Sequence, residues 1–321
     1  MKPKSWRRYE GARLKYVDFV HEVWPGEAAP EPPYDVERVA DWVGDMCADG
    51  LKSAATAVAA LNKFHVSAGG APLRDTPAIQ QALSGWGRLK PPPVQKLPFT
   101  KAMLDFVYKE TDTDTLLGAR DYAMLAVAHG GAFRGESELL AMELPLCTVE
   151  GGSVVDVHTK TDRGVWATSE RRIPSGADGF RSPLGALCHY LVLSGHESGR
   201  VFRNVSGGGL ARARSNAMPV SRSSLSALVK KWAKKLGFDP SLFASHSLKH
   251  GCAADLKAAD VPEEVGMRVT NHRSVATYRG YGGRGFVYRA EAAARVSAAA
   301  ALREARAREA ALERGAWAAS G

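Results

Sequence analysis

The spacing of apolar residues divides the chain into two regions of different texture. Over roughly residues 4–90 the periodicity is helical. Trp6, Leu14, Val17, Phe19 and Val20 form a mostly one-sided stripe, and Val36 to Met46 repeats it. Ser53 to His65 is rich in Ala, Leu and Phe, with Ser53 as a candidate N-cap, and Ile79 to Leu89 is a fourth, weaker amphipathic piece. Breaks at Pro30 to Pro33 and at Gly69-Gly70-Ala71-Pro72 separate these pieces, so the pattern predicts a small helical bundle.

The run Lys90-Pro91-Pro92-Pro93-Val94-Gln95-Lys96-Leu97-Pro98 interrupts it. Three consecutive prolines cannot continue a helix and favour an extended, semi-rigid spacer, which places a domain boundary at 91–98. Beyond it, Thr100 is a good N-cap for a helix starting at Lys101. Helices are expected near 118–129 and 134–142. After Gly151-Gly152 the period changes to alternation in Ser153-Val154-Val155-Asp156-Val157-His158. A polar turn, Thr161-Asp162-Arg163-Gly164, leads to a second strand-like run ending Arg171-Arg172-Ile173-Pro174, which is a hairpin pattern. Helices resume near 182–194, 222–236 and 246–258, with short ones near 262–268 and 273–281. Val201-Phe202-Arg203 reads as a core strand or loop. The tail, 289–318, is rich in Ala, Arg and Glu with no Gly or Pro until Gly315, and predicts one long helix. The expected fold is mainly α with a small β-hairpin (α+β). Its parts are an N-terminal bundle at 1–90, the linker at 91–98, a larger domain at 99–288 and a helical tail at 289–321.

Charge adds a partner to this picture. Lys plus Arg number 43 against 34 Asp plus Glu, a formal net charge of +9. The cations are clustered at Lys2, Lys4, Arg7, Arg8, Arg13 and Lys15, and again at Arg212, Arg214 and Arg222 followed by Lys230, Lys231, Lys234 and Lys235. Like charges four residues apart destabilise a helix, so the second cluster reads equally as a solvated helix face or a phosphate-facing one, and a polyanion is the leading partner for the chain against a basic protein with none. The cysteines Cys47, Cys147, Cys188 and Cys252 form no CxxC pair, which argues for a reducing compartment and against a disulfide framework or a structural zinc site. No stretch approaches the ~18 apolar residues of a membrane span, and the N-terminus lacks a signal-peptide core, so an intracellular protein with no membrane partner is expected.

The candidate chemistry lies near the C-terminus: His246-Ser247-Leu248-Lys249, then Asn271-His272, then Tyr278 and Tyr281. Two imidazoles, a cation and a phenol at these intervals suit metal-free cleavage of a phosphodiester. The phenol attacks, and the imidazoles and cations stabilise the pentacoordinate phosphorane. Arg134 and Lys160 are candidate further cations. A planar guanidinium grips two non-bridging oxygens at once, with Glu136 or Glu138 as its supporting carboxylate. An ammonium of depressed pKa suits general acid work. His246 and His250 share i,i+4 spacing with Cys252 nearby, but no glutamate completes an HExxH motif and no third ligand set is evident, so no metal is assigned.

From about Trp6 to Tyr281 the chain resembles the tyrosine recombinases (phage-integrase family), in flavour like the recombinases of DIRS-like and Crypton-like mobile elements. Gly130-Gly131-Ala132-Phe133-Arg134-Gly135-Glu136-Ser137-Glu138-Leu139-Leu140 resembles the family's first-arginine motif, Gly-x-Arg-x-Ser-Glu-Leu-Leu, with Ser-Glu-Leu-Leu displaced by one residue. Lys160, in His158-Thr159-Lys160-Thr161-Asp162, resembles the hairpin lysine that protonates the leaving 5′-oxygen. His246 and Lys249 match His-x-x-Arg, followed by His or a small residue and then Gly, with lysine in the arginine position. His272 matches Leu-Gly-His, and Tyr281 stands nine residues later, where the family has its nucleophile. Tyr278 is read as a packing aromatic.

The resemblance implies a site-specific recombinase or integrase that cuts and rejoins DNA through a 3′-phosphotyrosyl link, without metal or nucleotide cofactor. Tyr281 would attack, Arg134, Lys249, His246 and His272 would stabilise the phosphorane, and Lys160 would serve the leaving oxygen. His246 would donate to a non-bridging oxygen or assist proton transfer from the tyrosine. The resemblance also implies a core-binding bundle and a catalytic domain clamping double-stranded DNA, and a homo-oligomer, a tetramer, on that DNA. The tail would dock on a neighbouring protomer, with a plain solvent-exposed or partly frayed helix as the equal alternative. A type IB topoisomerase-like enzyme, a non-catalytic DNA-binding relative and an unrelated helical protein with a basic surface are the alternatives.

Overall fold

In the N-terminal part each expected amphipathic segment is a helix: α1 (Pro3–Val23), α2 (Val36–Ala48), α3 (Ala54–Ser67) and α4 (Pro77–Leu89). Asp35 starts α2 by accepting from the backbone N–H groups of Glu37 and Arg38, satisfying two of the donors that a helix start leaves open. The apolar faces meet in one cluster of Tyr16, Val20, Val39, Trp42, Val43, Val58, Leu61 and Ile79. Tyr16 is at its centre, 5.3 Å by ring centroid from both Tyr34 and Trp42. The computed structural model describes residues 3–50, 54–89, 95–149, 152–157, 169–176, 178–206, 214–281, 294–299 and 301. Ser53, the expected cap of α3, lies outside them.

The chain divides into two compact units, Met1–Pro93 and Val94–Gly321. The second begins with an extended stretch held to its own unit: Leu97 donates its N–H to Leu242 O and Phe99 its N–H to Ser247 O, both at 2.8 Å. The helix α5 (Lys101–Glu110) follows. Thr100 precedes it as expected, but its hydroxyl makes no cap bond. Asp255 instead takes the first open N–H of the helix, that of Lys101, at 2.7 Å. A carboxylate at a helix N-terminus is favoured by the helix dipole.

Helix α6 (Leu116–Gly130) runs through the middle of the unit, with its residues from Tyr122 to His129 all buried. A helix apolar all round belongs in a core, and α6 packs on α5 and on three later helices. The expected helix over 134–142 is not an α-helix. Ala132 takes φ 49, Glu138 takes φ −125 and ψ −69, and only Leu139–Ala141 make a short 3-10 turn. The cause is the Glu138 side chain, which turns inward and accepts the Arg134 backbone N–H at 2.8 Å. The apolar pattern there reflects burial of a compact turn.

Strands β1 (Glu143–Leu144), β2 (Cys147–Val149), β3 (Gly152–Val157) and β4 (Ser169–Pro174) come next. The expected hairpin is β3–β4, antiparallel with Val157 opposite Ser169, and β2 adds a third strand. Helix α7 (Pro183–Ser194) is capped by Ser182, whose hydroxyl accepts from Gly185 N–H. Then β5 (Gly199–Arg200) pairs with β1, and β6 (Arg203–Ser206) with β7 (Arg214–Pro219). Between them Val201 and Phe202 are core residues. The last helices are α8 (Arg222–Lys235), α9 (His246–Ala258), α10 (Glu263–Thr270) and α11 (Val275–Gly280). Residues 294–299 are helical. Apart from residue 301, the rest of the tail lies outside the described residues, as does the tip of the β3–β4 hairpin. No described helix is long and apolar enough to cross a membrane.

Candidate active site

Four short pieces of chain supply the site, one from the turn after α6 and three from the consecutive helices α9, α10 and α11. The first is the turn after α6. Arg134 donates from Nη1 to Glu138 Oε1 at 2.6 Å, and Glu138 is fully buried. Of the two candidate carboxylates, Glu138 therefore holds the guanidinium. Glu136 is half-exposed and reaches towards Arg222 instead, at 3.5 Å. An arginine anchored by an inward carboxylate has its remaining donors fixed in direction, as a phosphate-gripping fork requires.

The second piece is the first turns of α9. His246 is exposed at its start, Lys249 is 2% exposed one turn on, and His250 follows. The helix can approach the extended segment at Phe99 because Gly251 has no side chain: a Cβ there would lie 1.8 Å from Phe99 O. His250 is pushed down to about 4, chiefly by burial and then by the positive neighbours His246 and Lys249. It is a neutral ring at pH 7.

The third piece is the end of α10. Asn271 adopts the left-handed conformation, φ 51 and ψ 49. Asparagine tolerates this region better than most residues, and here it stands where the Leu-Gly-His motif has glycine. Its N–H bonds Arg268 O and the His272 N–H bonds Met267 O, the paired closure of a Schellman turn. That turn delivers His272 inward, where its Nδ1 lies 2.6 Å from Thr270 Oγ1.

The fourth piece is α11. Tyr278 is 1% exposed and packs against Gly266, where a Cβ would meet its hydroxyl at 2.0 Å. Lys257 Nζ donates to Tyr278 O at 2.8 Å and to Arg279 O at 3.3 Å, satisfying carbonyls at the end of α11. Arg279 in turn grips both Glu263 oxygens. Tyr281 follows at the end of this pinned helix. Its ring centroid is 4.0 Å from that of His250 and 4.5 Å from that of His272. Burial raises the Tyr281 phenol above its usual value, and the positive charge of Arg134 works against that rise.

The structure thus brings Tyr281, His272, Arg134 and the start of α9, with His246 and Lys249, into one neighbourhood. Lys160 lies outside the described residues. Sequence reasoning does not place His250 in the site, although a histidine after Lys249 fits the family pattern and was the signal that could find it. Among the described residues no group of three or more His, Cys, Asp or Glu could hold a metal ion. On α8, Lys230, Lys231, Lys234 and Lys235 are all exposed, opposite the buried Leu225, Leu228, Val229, Trp232 and Ala233. A phenol flanked by two imidazoles and held cations has the parts for in-line attack on a phosphodiester.

No family model matches the chain. It is 27% identical over 251 residues to an integrase/recombinase XerD homolog of Selenomonas ruminantium, covering 75% of this chain and 71% of that protein. Among solved structures it is similar to a lambda integrase dimer bound to a COC' core site, with TM-score 0.54, 15% identity, and 88% and 91% of the two chains covered. The Tn1549 transposon integrase with circular intermediate DNA gives TM-score 0.53, 15% identity, and 88% and 98% coverage. The XerH site-specific recombinase in its post-cleavage complex gives 0.51, 15%, and 80% and 70%. At such identities these structural likenesses are of fold.

Proposed function

We infer that this chain, a member of the tyrosine recombinase family, is a site-specific recombinase that cuts and rejoins double-stranded DNA. Tyr281 is the nucleophile. Its oxygen attacks the scissile phosphorus as its own O–H bond breaks, and the P–O bond to the 5′-oxygen breaks, leaving a 3′-phosphotyrosyl link. The covalent link conserves the bond energy, so resealing by an incoming 5′-hydroxyl needs no nucleotide. Arg134, held by Glu138, and Lys249 neutralise the charge that develops on the non-bridging oxygens, with His246 and His272 beside them. Lys160 protonates the leaving oxygen. The exposed lysine face of α8 meets the phosphate backbone, and the active form on DNA is a homo-oligomer, a tetramer.

One observation carries this reading: a tyrosine at the end of a pinned helix lies against two imidazoles and within the field of an arginine fixed by a buried carboxylate. Lys249 departs from the family pattern. It keeps the charge but not the two-pronged fork, so slower chemistry than with arginine is expected. The test is covalent trapping on nicked suicide substrates. The wild-type chain forms an adduct and Tyr281→Phe does not. DNA binding without any adduct would point to a non-catalytic relative. Relaxation of supercoils independent of sequence would point to type IB topoisomerase-like action.

A further inference from the structure

Thr270 is fully buried, and its hydroxyl touches two groups. Oγ1 lies 2.7 Å from Gly266 O and 2.6 Å from His272 Nδ1. The hydroxyl has one proton. A carbonyl oxygen can only accept, so that proton goes to Gly266 O; otherwise two acceptor oxygens would face each other in a buried site. Oγ1 is left with lone pairs towards His272, so Nδ1 must carry the ring proton. In a neutral imidazole the other nitrogen is then a lone-pair acceptor. The Schellman turn at Asn271 fixes the backbone that holds both residues in this relation.

We propose that Thr270 is a positioning residue that locks His272 in the Nδ1–H tautomer, so that His272 enters the reaction as a proton acceptor for Tyr281. This rests on the recombinase reading above. It changes the role of His272 from a neutral donor to the phosphate. The ring stands edge-on to Tyr281 at 4.5 Å between centroids. As the Tyr281 oxygen bonds to phosphorus, its O–H bond breaks and the proton passes to Nε2. The resulting imidazolium then has the N–H that a phosphorane oxygen needs. Electrons and proton balance with no outside reagent. Thr270 stands where the Leu-Gly-His motif has leucine, which could not make this bond, so the device belongs to this chain's own sequence.

The experiment uses the full chain labelled with ¹⁵N-histidine. The His272 signals are identified by their loss in His272→Gln, and long-range ¹H–¹⁵N correlation at alkaline pH reports which nitrogen is protonated. The wild-type ring should show a protonated Nδ1 and a pyridine-like Nε2. Thr270→Val, of similar shape, should move the proton to Nε2 and slow adduct formation roughly tenfold or more, within what general base catalysis contributes. Thr270→Ser restores the hydroxyl and should recover both tautomer and rate. An Nε2–H ring in the wild type, or an unchanged tautomer in a folded Thr270→Val, overturns the proposal. Loss of rate in Thr270→Ser with the tautomer kept overturns the proton-acceptor role. A wild-type chain with the Nδ1–H tautomer that forms no adduct on DNA refutes the recombinase reading while upholding the lock itself.

Discussion

Replacing Gly251 by alanine tests how the extended segment before α5 holds α9 in place. The added Cβ would lie 1.8 Å from Phe99 O and 2.5 Å from Phe99 C, both backbone atoms. Ordinary carbon–oxygen contact is about 3.4 Å, so the two segments must part by about 1.5 Å. Parting them stretches the 2.8 Å bond from Phe99 N–H to Ser247 O and loosens Phe99, which is fully buried and edge-on to Phe243. A lost buried hydrogen bond of about 1 kcal/mol and overpacking of about 1–3 kcal/mol give about 2–4 kcal/mol of destabilisation. For a unit of this size that is a fall in Tm of roughly 5–15 °C by circular dichroism. The same shift displaces His246 and Lys249, so adduct formation should drop even at temperatures where the variant stays folded. A Gly251→Ala protein that melts within about 1 °C of wild type would refute the close approach as a constraint.

Three further outcomes follow from the site. Glu138→Ala removes a fully buried carboxylate 2.6 Å from Arg134 Nη1. Because the guanidinium is partly exposed, about 2–3 kcal/mol is expected in urea unfolding, with a larger relative loss of adduct. His250 has a folded value of about 4 against the ordinary 6.5, so the unfolded chain binds more protons between those limits. Stability is therefore intact above pH 6.5 and lost as pH falls towards 4, by up to about 3 kcal/mol. His250→Phe should flatten that slope, and an unchanged slope would contradict the assignment. Lys257→Met removes the cation that holds the Tyr278 and Arg279 carbonyls, and should lower the rate of adduct formation more than Tm.

Much of the fold was legible because its signals are local. The four N-terminal segments follow their apolar stripes, and α7, α8 and α9 begin at or beside the residues where the periodicity resumes. The turn at 134–142 was not legible, because its conformation depends on Glu138 folding back upon Arg134, a choice that apolar spacing does not encode. Thr100 misled for a similar reason: its hydroxyl makes no cap bond, and the first N–H of the helix, on Lys101, goes to Asp255, 154 residues beyond it. The strands β1, β2 and β5 are two or three residues long, too short for alternation to declare itself, and β6 and β7 are mostly polar runs without an alternating apolar pattern.

The site was legible in its motifs, and its local geometry was not. His246, His272 and Tyr281 could be named from their register, but the choice of Glu138 over Glu136, the ring of His250 against Tyr281 and the Thr270 contact needed coordinates. The relatives found support the family, and leave the likeness to DIRS-like and Crypton-like elements as an expectation.

On the proposed chemistry it is Tyr281, and not Tyr278, that becomes attached to DNA. Tyr278 is buried with its hydroxyl against Gly266, whereas Tyr281 is partly open and faces the imidazoles. Trapping the wild-type chain on a suicide substrate, digesting the adduct and mapping the modified peptide by mass spectrometry should locate the nucleotide on Tyr281. Attachment at Tyr278, or an adduct that persists in Tyr281→Phe, would contradict the account.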